Sequence, residues 1–204
     1  QTEEICKQIL NRDLKISWLA NPRNNYLNEK WLSDDMMDLM VRSGANKLSC
    51  GAESGSQRMQ DFLKKGCKVE DTISFVKRTT KYGIVPVVAY MTGLPTETEA
   101  DRQATISQIR EIWKINPTAY INGPALFRPY PGGDLFKYCI DNYDLQMPKT
   151  LEDWAGVEAL GGARPPWVKR FWFHQYIWTS TRGARAPKEY IMMKIKENPI
   201  RGIA

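Results

Sequence analysis

The tightest constraint on this chain is a repeat of pattern rather than of residues. Strand-like segments begin near residues 14, 46, 84 and 119, a spacing of 32 to 38 residues, and helix-period sequence fills each interval. Parallel strands cannot be joined by a tight hairpin and need a crossover, usually a helix, so this alternation predicts βαβ units and a parallel sheet.

The elements follow in order. A helix opens at the N-terminus, with Thr2 as its cap and Glu3 and Glu4 in the first turn. A strand over 14–20 stops at Asn21-Pro22. A helix over 28–43 carries Trp31, Leu32, Met36, Leu39 and Met40 at helical spacing and ends on Gly44. Residues 46–51 form the next strand, followed by helical sequence to Gly66 and a helix that Gly83 ends. Residues 84–91 are continuously apolar, which predicts a strand buried on both faces. A long helix near 97–115 ends at Asn116-Pro117, and a last strand covers 119–127. Beyond residue 133 come a short helix, an irregular Gly- and Pro-rich stretch to Pro166, a basic aromatic helix and a final helix near 188–197. The division is therefore 1–145 for the βα units and 146–204 for a mainly helical extension. Four units do not close a barrel, and an unpaired parallel edge is a liability, so the chain is expected to form part of a larger domain.

Composition narrows the class. With 204 residues, 42% hydrophobic and 25% charged, the chain has the make-up of a globular protein with a real core. No apolar run approaches the roughly 20 residues that span a bilayer, and the opening Gln1-Thr2-Glu3-Glu4 is unlike a secretory leader. The net charge of +6 is uneven: residues 164–204 hold nine Lys and Arg against two Asp and Glu, whereas the first 163 hold 20 against 21. A neutral body with a basic tail argues against nucleic acid as a partner. Cys6, Cys50, Cys67 and Cys139 make no CxxC or CxxxC pair, which predicts buried thiols in a reducing, cytoplasmic setting and no metal loop within the chain.

Ligands of parallel α/β folds gather at the carboxyl ends of the strands. The loops there hold Arg23, then Glu53-Ser54-Gly55-Ser56, then Met91 with Gly93-Leu94-Pro95, then Arg128. Glu53 can accept from hydroxyls or an ammonium, and it is expected to face the interior of the sheet's open side. Ser54 and Ser56 offer small hydroxyls, or helix caps. Arg23 and Arg128 can pair a carboxylate, or close the rim with salt bridges. Met91, Gly93 and Leu94 can lie against a flat heterocycle.

Five blocks then carry a resemblance: ISWLANPR at 16–23, GAESGSQR at 51–58, KKG at 64–66, YMTGLPTETE at 90–99 and FRPYPG at 127–132. Together, over about residues 1–155, they resemble radical S-adenosylmethionine enzymes, and within them the branch with an N-terminal cobalamin-binding domain. The resemblance implies a partial TIM-like (βα)6 barrel, of which these blocks match strands three to six. It implies S-adenosylmethionine and a [4Fe–4S] cluster as cofactors, with cobalamin as a third. It also implies chemistry through a 5′-deoxyadenosyl radical, ending in methyl transfer or carbon-skeleton rearrangement. In that family a CxxxCxxC loop after the first strand holds the cluster; it is absent here, so the N-terminal part of the barrel is the implied partner. By the same resemblance Glu53, Ser54 and Ser56 fall at ribose and amino-acid contacts, Met91, Gly93 and Leu94 at the adenine contact, Leu126 to Arg128 at the sixth-strand backbone contact, and Arg23 facing the cavity. Thr96 stands where a Gly is common, and Gly133 where a Thr is common.

Residues 164–183 set Trp167, Phe171, Ile177 and Trp178 at helical spacings around Lys169 and Arg170, with the only histidine, His174, among them. Two readings stand for this segment: a helix covering one end of the barrel, or a helix lying on a membrane surface, which would make the protein peripheral. The expected substrate is a small molecule or lipid-like. Two functions stand as well. The chain is the carboxyl-terminal part of a radical S-adenosylmethionine enzyme, inactive alone, or it is a non-catalytic half-barrel that docks on a partner through its tail.

Overall fold

The computed structural model describes residues 1–143, 145, 148–159 and 167–168. Four strands, β1 (Trp18–Ala20), β2 (Ala45–Glu53), β3 (Val85–Thr92) and β4 (Tyr120–Leu126), pair in the order β1-β2-β3-β4, all parallel. Helices alternate with them: α1 (Thr2–Asn11), α2 (Asp34–Arg42), α3 (Gln57–Phe62), α4 (Val69–Lys81), α5 (Glu99–Ile115), α6 (Asp134–Asn142) and α7 (Leu151–Ala159). Right-handed crossovers between strands laid down in sequence order put successive helices on one face. A doubly wound sheet needs a reversal of order, and these four strands have none. The order is that of a barrel wall.

Burial agrees with that one-sided design. Leu48, Cys50 and Ala52 of β2 and Val88 and Tyr90 of β3 are buried in one cluster with Met37 and Met40 of α2, Phe75 and Val76 of α4, and Ile109 and Ile112 of α5. Inside that layer the Tyr90 hydroxyl donates to Gln108 Oε1 at 2.7 Å, and Gln108 Nε2 donates to the Val69 carbonyl at 2.9 Å, so the buried polar pair is satisfied. A smaller cluster of Met59, Leu94, Phe127 and Cys139 sits at the carboxyl ends of β3 and β4.

Several expectations need correction. The apolar run at 84–91 is not buried on both faces: Pro86, Val88, Tyr90 and Thr92 are buried, but Val85, Val87, Ala89 and Met91 are half-exposed, because only the helix-facing side receives a packed layer. The strand predicted over 14–20 shrinks to Trp18–Ala20. The preceding residues close α1 instead, with the Leu14 N–H donating to the Ile9 carbonyl and Asp13 left-handed at φ 50°. Helix 28–43 starts at Asp34, since Ser33 caps it by accepting from the Met36 N–H at 3.2 Å, while Asn28 closes a separate turn. Thr2 lies inside α1, after Gln1. The stretch read as irregular contains α7, which Thr150 and Asp153 cap reciprocally. Of the tail at 164–183 only Trp167 and Val168 are described, so its predicted helix, like the one near 188–197, lies outside the described residues.

Gly44 does mark the end of α2. Its φ is +101°, and its carbonyl accepts from Trp18 N–H at 3.0 Å, starting β1. A Cβ there would fall on the Ile16 carbonyl oxygen. Gly44→Ala is therefore expected to cost about 2 kcal/mol or more, from left-handed strain plus the backbone collision. Thermal melting followed by circular dichroism should fall by roughly 4–8 °C; an unchanged midpoint overturns this account of the α2–β2 turn.

Candidate functional site

The turn after β2 is built against α5. Ser54 is fully buried, and its hydroxyl lies 3.2 Å from Thr105 Oγ1 and accepts from the Ser56 N–H. Gly55 donates its N–H to Thr105 Oγ1 at 2.9 Å. A Cβ on Gly55 would come within 2.6 Å of Thr105 Cα and 2.8 Å of the Ala104 carbonyl oxygen, so only glycine lets the turn press on the helix backbone. The close approach that Gly55 permits is thus to α5 rather than to a ligand. Ser56 likewise bonds inward, its hydroxyl donating to Asp101 Oδ1 at 2.6 Å.

Asp101 gathers this region. Its carboxylate accepts from Ser56, from the Arg58 guanidinium and from both the N–H and hydroxyl of Thr98, at 2.8 and 2.6 Å. Burial works to raise its pKa, but the donors from Arg58, Ser56 and Thr98 outweigh that and hold the carboxyl well below the usual range. The starts of α3 and α5 are thereby fixed to each other. The signal for this residue was the capping box at Thr98-x-x-Asp101, which names a helix start but not the crossing partners.

On the open side of the same turn lies Glu53. Its side chain folds back over Gly51, where a Cβ would strike Glu53 Oε1 and stand 2.9 Å from Lys65 Nζ. Lys65 Nζ donates to Glu53 Oε1 at 2.6 Å and also to the Gly51 carbonyl. Both side chains are about one-fifth exposed, at 19% for Lys65 and 23% for Glu53. Arg23, three residues beyond β1, donates to the Lys65 carbonyl and lies 3.6 Å from Cys67 Sγ. One edge therefore brings together Arg23, Glu53 and Lys65. Lys65 was not singled out as a site residue in the sequence; its only signal was the KKG block.

The carboxyl ends of β3 and β4 make the neighbouring part of the edge. Gly93 is left-handed at φ 72°, and a Cβ there would meet Leu126 Cδ1 at 2.7 Å and Val168 Cγ2 at 3.0 Å. Glu97, with 2% of its side chain exposed, accepts from the Gly93 N–H at 2.8 Å and the Thr92 hydroxyl at 3.0 Å. Burial raises its pKa despite those donors and Arg102. Met91 packs at the margin of the cluster that holds Leu94 and Phe127. Trp167 Nε1 donates to the Gly93 carbonyl at 2.8 Å, and its ring lies 4.4 Å from that of Tyr143. Arg128 follows β4, half-buried. Thr96 adopts φ 63°, a conformation natural to glycine, with its carbonyl accepting from Arg58 at 2.8 Å.

No group of three or more His, Cys, Asp and Glu converges as a metal set among the described residues. Burial pushes the Cys50 thiol up to about 12 and the Cys139 thiol up to about 11, away from the thiolate form a metal needs. These residues do not fit an iron–sulfur cluster. No described helix is long and apolar enough to cross a membrane.

The family model described as the radical SAM superfamily matches residues 1–109. An uncharacterized methyltransferase of Pyrococcus horikoshii is 31% identical over 139 residues, covering 68% of this chain and 28% of the relative. The anaerobic magnesium-protoporphyrin IX monomethyl ester cyclase of Rubrivivax gelatinosus is 24% identical over 142 residues, covering 70% of this chain and 24% of the relative. Among solved structures, the cobalamin-dependent S-adenosylmethionine radical enzyme OxsB superposes with a TM-score of 0.49 at 17% identity, over 69% of this chain and 19% of that one. The chain thus spans about a quarter of the length of the curated relatives it matches.

Asp101→Asn is expected to remove about 2–3 kcal/mol at neutral pH, since it weakens charged hydrogen bonds from Arg58, Ser56 and Thr98 at once. A carboxyl whose folded pKa is depressed contributes stability above its unfolded value near 4 and loses it as the pH falls through the folded value. The gap between wild type and Asp101→Asn in urea midpoint should be full at pH 7 and narrow progressively below pH 4. A gap that stays constant into acid contradicts the charge-based account.

Proposed function

The chain belongs to the radical SAM superfamily, and from that premise we propose that it forms the nucleoside and amino-acid side of the S-adenosylmethionine site of a larger enzyme. The observation that carries the reading is the Glu53–Lys65 pair seated over Gly51 at the carboxyl end of β2. A carboxylate and an ammonium at one edge suit a ligand that carries both charges and vicinal hydroxyls. In this reading Glu53 accepts from ribose hydroxyls or the ligand ammonium. Arg23 and Arg128 favour its carboxylate, and Met91, Gly93 and Leu94 lie along the adenine. Ser54 and Ser56 serve the site from behind by holding the turn. Residues 1–145 form the barrel part and 146–204 an extension, of which Trp167 and Val168 pack against Gly93 at the end of β3.

Bound S-adenosylmethionine supplies radical and methyl-donor chemistry; the residues of this chain bind it, orient it and exclude water. The [4Fe–4S] cluster is assigned to residues outside this chain, because the cysteines here do not fit it. Cobalamin use, and an outcome of methyl transfer or ring and carbon-skeleton chemistry, are the finer part of the proposal. They rest on the relatives' descriptions as a methyltransferase and a cyclase and on the branch resemblance of the five sequence blocks.

Glu53→Gln in the complete polypeptide keeps the shape and removes the charge. Calorimetric titration with S-adenosylmethionine should show affinity lower by about one to two decades, as the loss of a charged hydrogen bond implies. Unaltered affinity ends the assignment of Glu53. Reconstitution of this 204-residue chain alone with iron and sulfide should give no stoichiometric cluster absorbance; a full complement of cluster overturns the reading of Cys6, Cys50, Cys67 and Cys139.

A further inference from the structure

We propose that Gln60 is a positioning residue for Glu53, an inference that rests on the reading of this edge as part of the S-adenosylmethionine site. Glu53 sits at the centre of a three-residue turn closed by the Ser54 N–H on the Ala52 carbonyl at 2.6 Å, with φ at 58°. Turns of this hand are rare and unfavourable for a residue with a Cβ, so something must hold the backbone there. The β2–β3 ladder alone does not: it pairs Glu53 with Tyr90 only after its register slips between Gly51 and Glu53.

Gln60 does. It is 1% exposed, and from α3 its Nε2 donates to the Ser54 carbonyl at 2.7 Å and to the Ala52 carbonyl. Those carbonyls belong to the two residues that flank Glu53. One side-chain amide therefore spans the turn and closes it from the buried side. Its Oε1 has no protein partner among the described residues, an unfavourable arrangement for a buried amide. The donor pair is what the amide contributes. With the turn held, the Glu53 side chain folds over Gly51 to Lys65 Nζ at 2.6 Å instead of following the strand outward. Gln60 thus acts on a ligand only through Glu53.

The test uses the complete protein, isotopically labelled, with S-adenosylhomocysteine as the probe. Gln60→Met keeps the length and volume of the side chain and removes the donors. The Glu53 Cα and Cβ chemical shifts should leave their left-handed values, and affinity for the probe should fall about tenfold, the low end of what loss of an outer partner costs a ligand-holding group. In a Glu53→Ala background the same substitution should cost no further affinity, although melting temperature falls in both. Unchanged Glu53 shifts in Gln60→Met overturn the proposal, as does an equal affinity loss in both backgrounds. If the wild type binds no S-adenosylhomocysteine, the reading of the edge as a nucleoside site fails, and the shifts alone decide the role of Gln60. Should Gln60→Met not fold, hydrogen exchange of the Gln60 side-chain amide in the wild type decides: slow exchange is expected, and exchange at the rate of a free amide overturns the claim.

Discussion

Asp101 lies where three pieces of chain must agree. The start of α5 needs a partner for its capping residue Thr98, the turn after β2 needs the Ser56 hydroxyl satisfied in the interior, and Arg58 brings a charge from α3. One carboxylate answers all three. Because it is nearly buried and multiply bonded, its position admits little play, and the turn it secures is pinned between β2 and α5 by Gly55 as well. Everything at the open edge inherits that rigidity. Glu53 can be aimed because the residues that follow it cannot move.

The second organising fact is that the sheet is packed on one side. A helix layer over one face yields a core of Leu48, Val88, Tyr90, Phe75 and Ile109, and leaves Ser49, Gly51, Glu53, Val87, Ala89 and Met91 on the other face only half covered. A face of that kind has two uses: the walls of a cavity, or the seat of another piece of protein. Exposed Leu14, Ile16 and Leu19 along the β1 margin, 48%, 47% and 59% accessible, carry the same incomplete burial to the edge of the sheet.

Much of this was legible in the residues. The 32- to 38-residue alternation states a parallel sheet with helices, Gly44 states where α2 must stop, and the loops after the strands could be written down before any coordinates. Local signals of this type depend on backbone chemistry that a few neighbouring residues determine. Other features depended on distance. Nothing near Lys65 says that its ammonium returns to Glu53, 12 residues earlier, because that pairing depends on the length and direction of the short helix between them. Gln60 looked like an ordinary polar helix residue, and only its complete burial reveals its task. Continuous apolarity at 84–91 misled for a related reason: Val and Ala suit a half-exposed face as readily as a buried one, so composition alone did not distinguish a covered face from an open one.

The ion pair over Gly51 also sets the terms on which anything can bind there. Lys65 and Glu53 already satisfy each other, so a newcomer exchanges partners rather than meeting bare charges. A purely anionic ligand that draws Lys65 away leaves Glu53 part-buried and alone, and a purely cationic one strands Lys65 in the same way. Only a molecule carrying both signs, spaced to the width of the gap it opens, replaces what it breaks. In the proposed site, selectivity for zwitterions over singly charged analogues would follow from the missing side chain at Gly51, which gives the two groups room to meet.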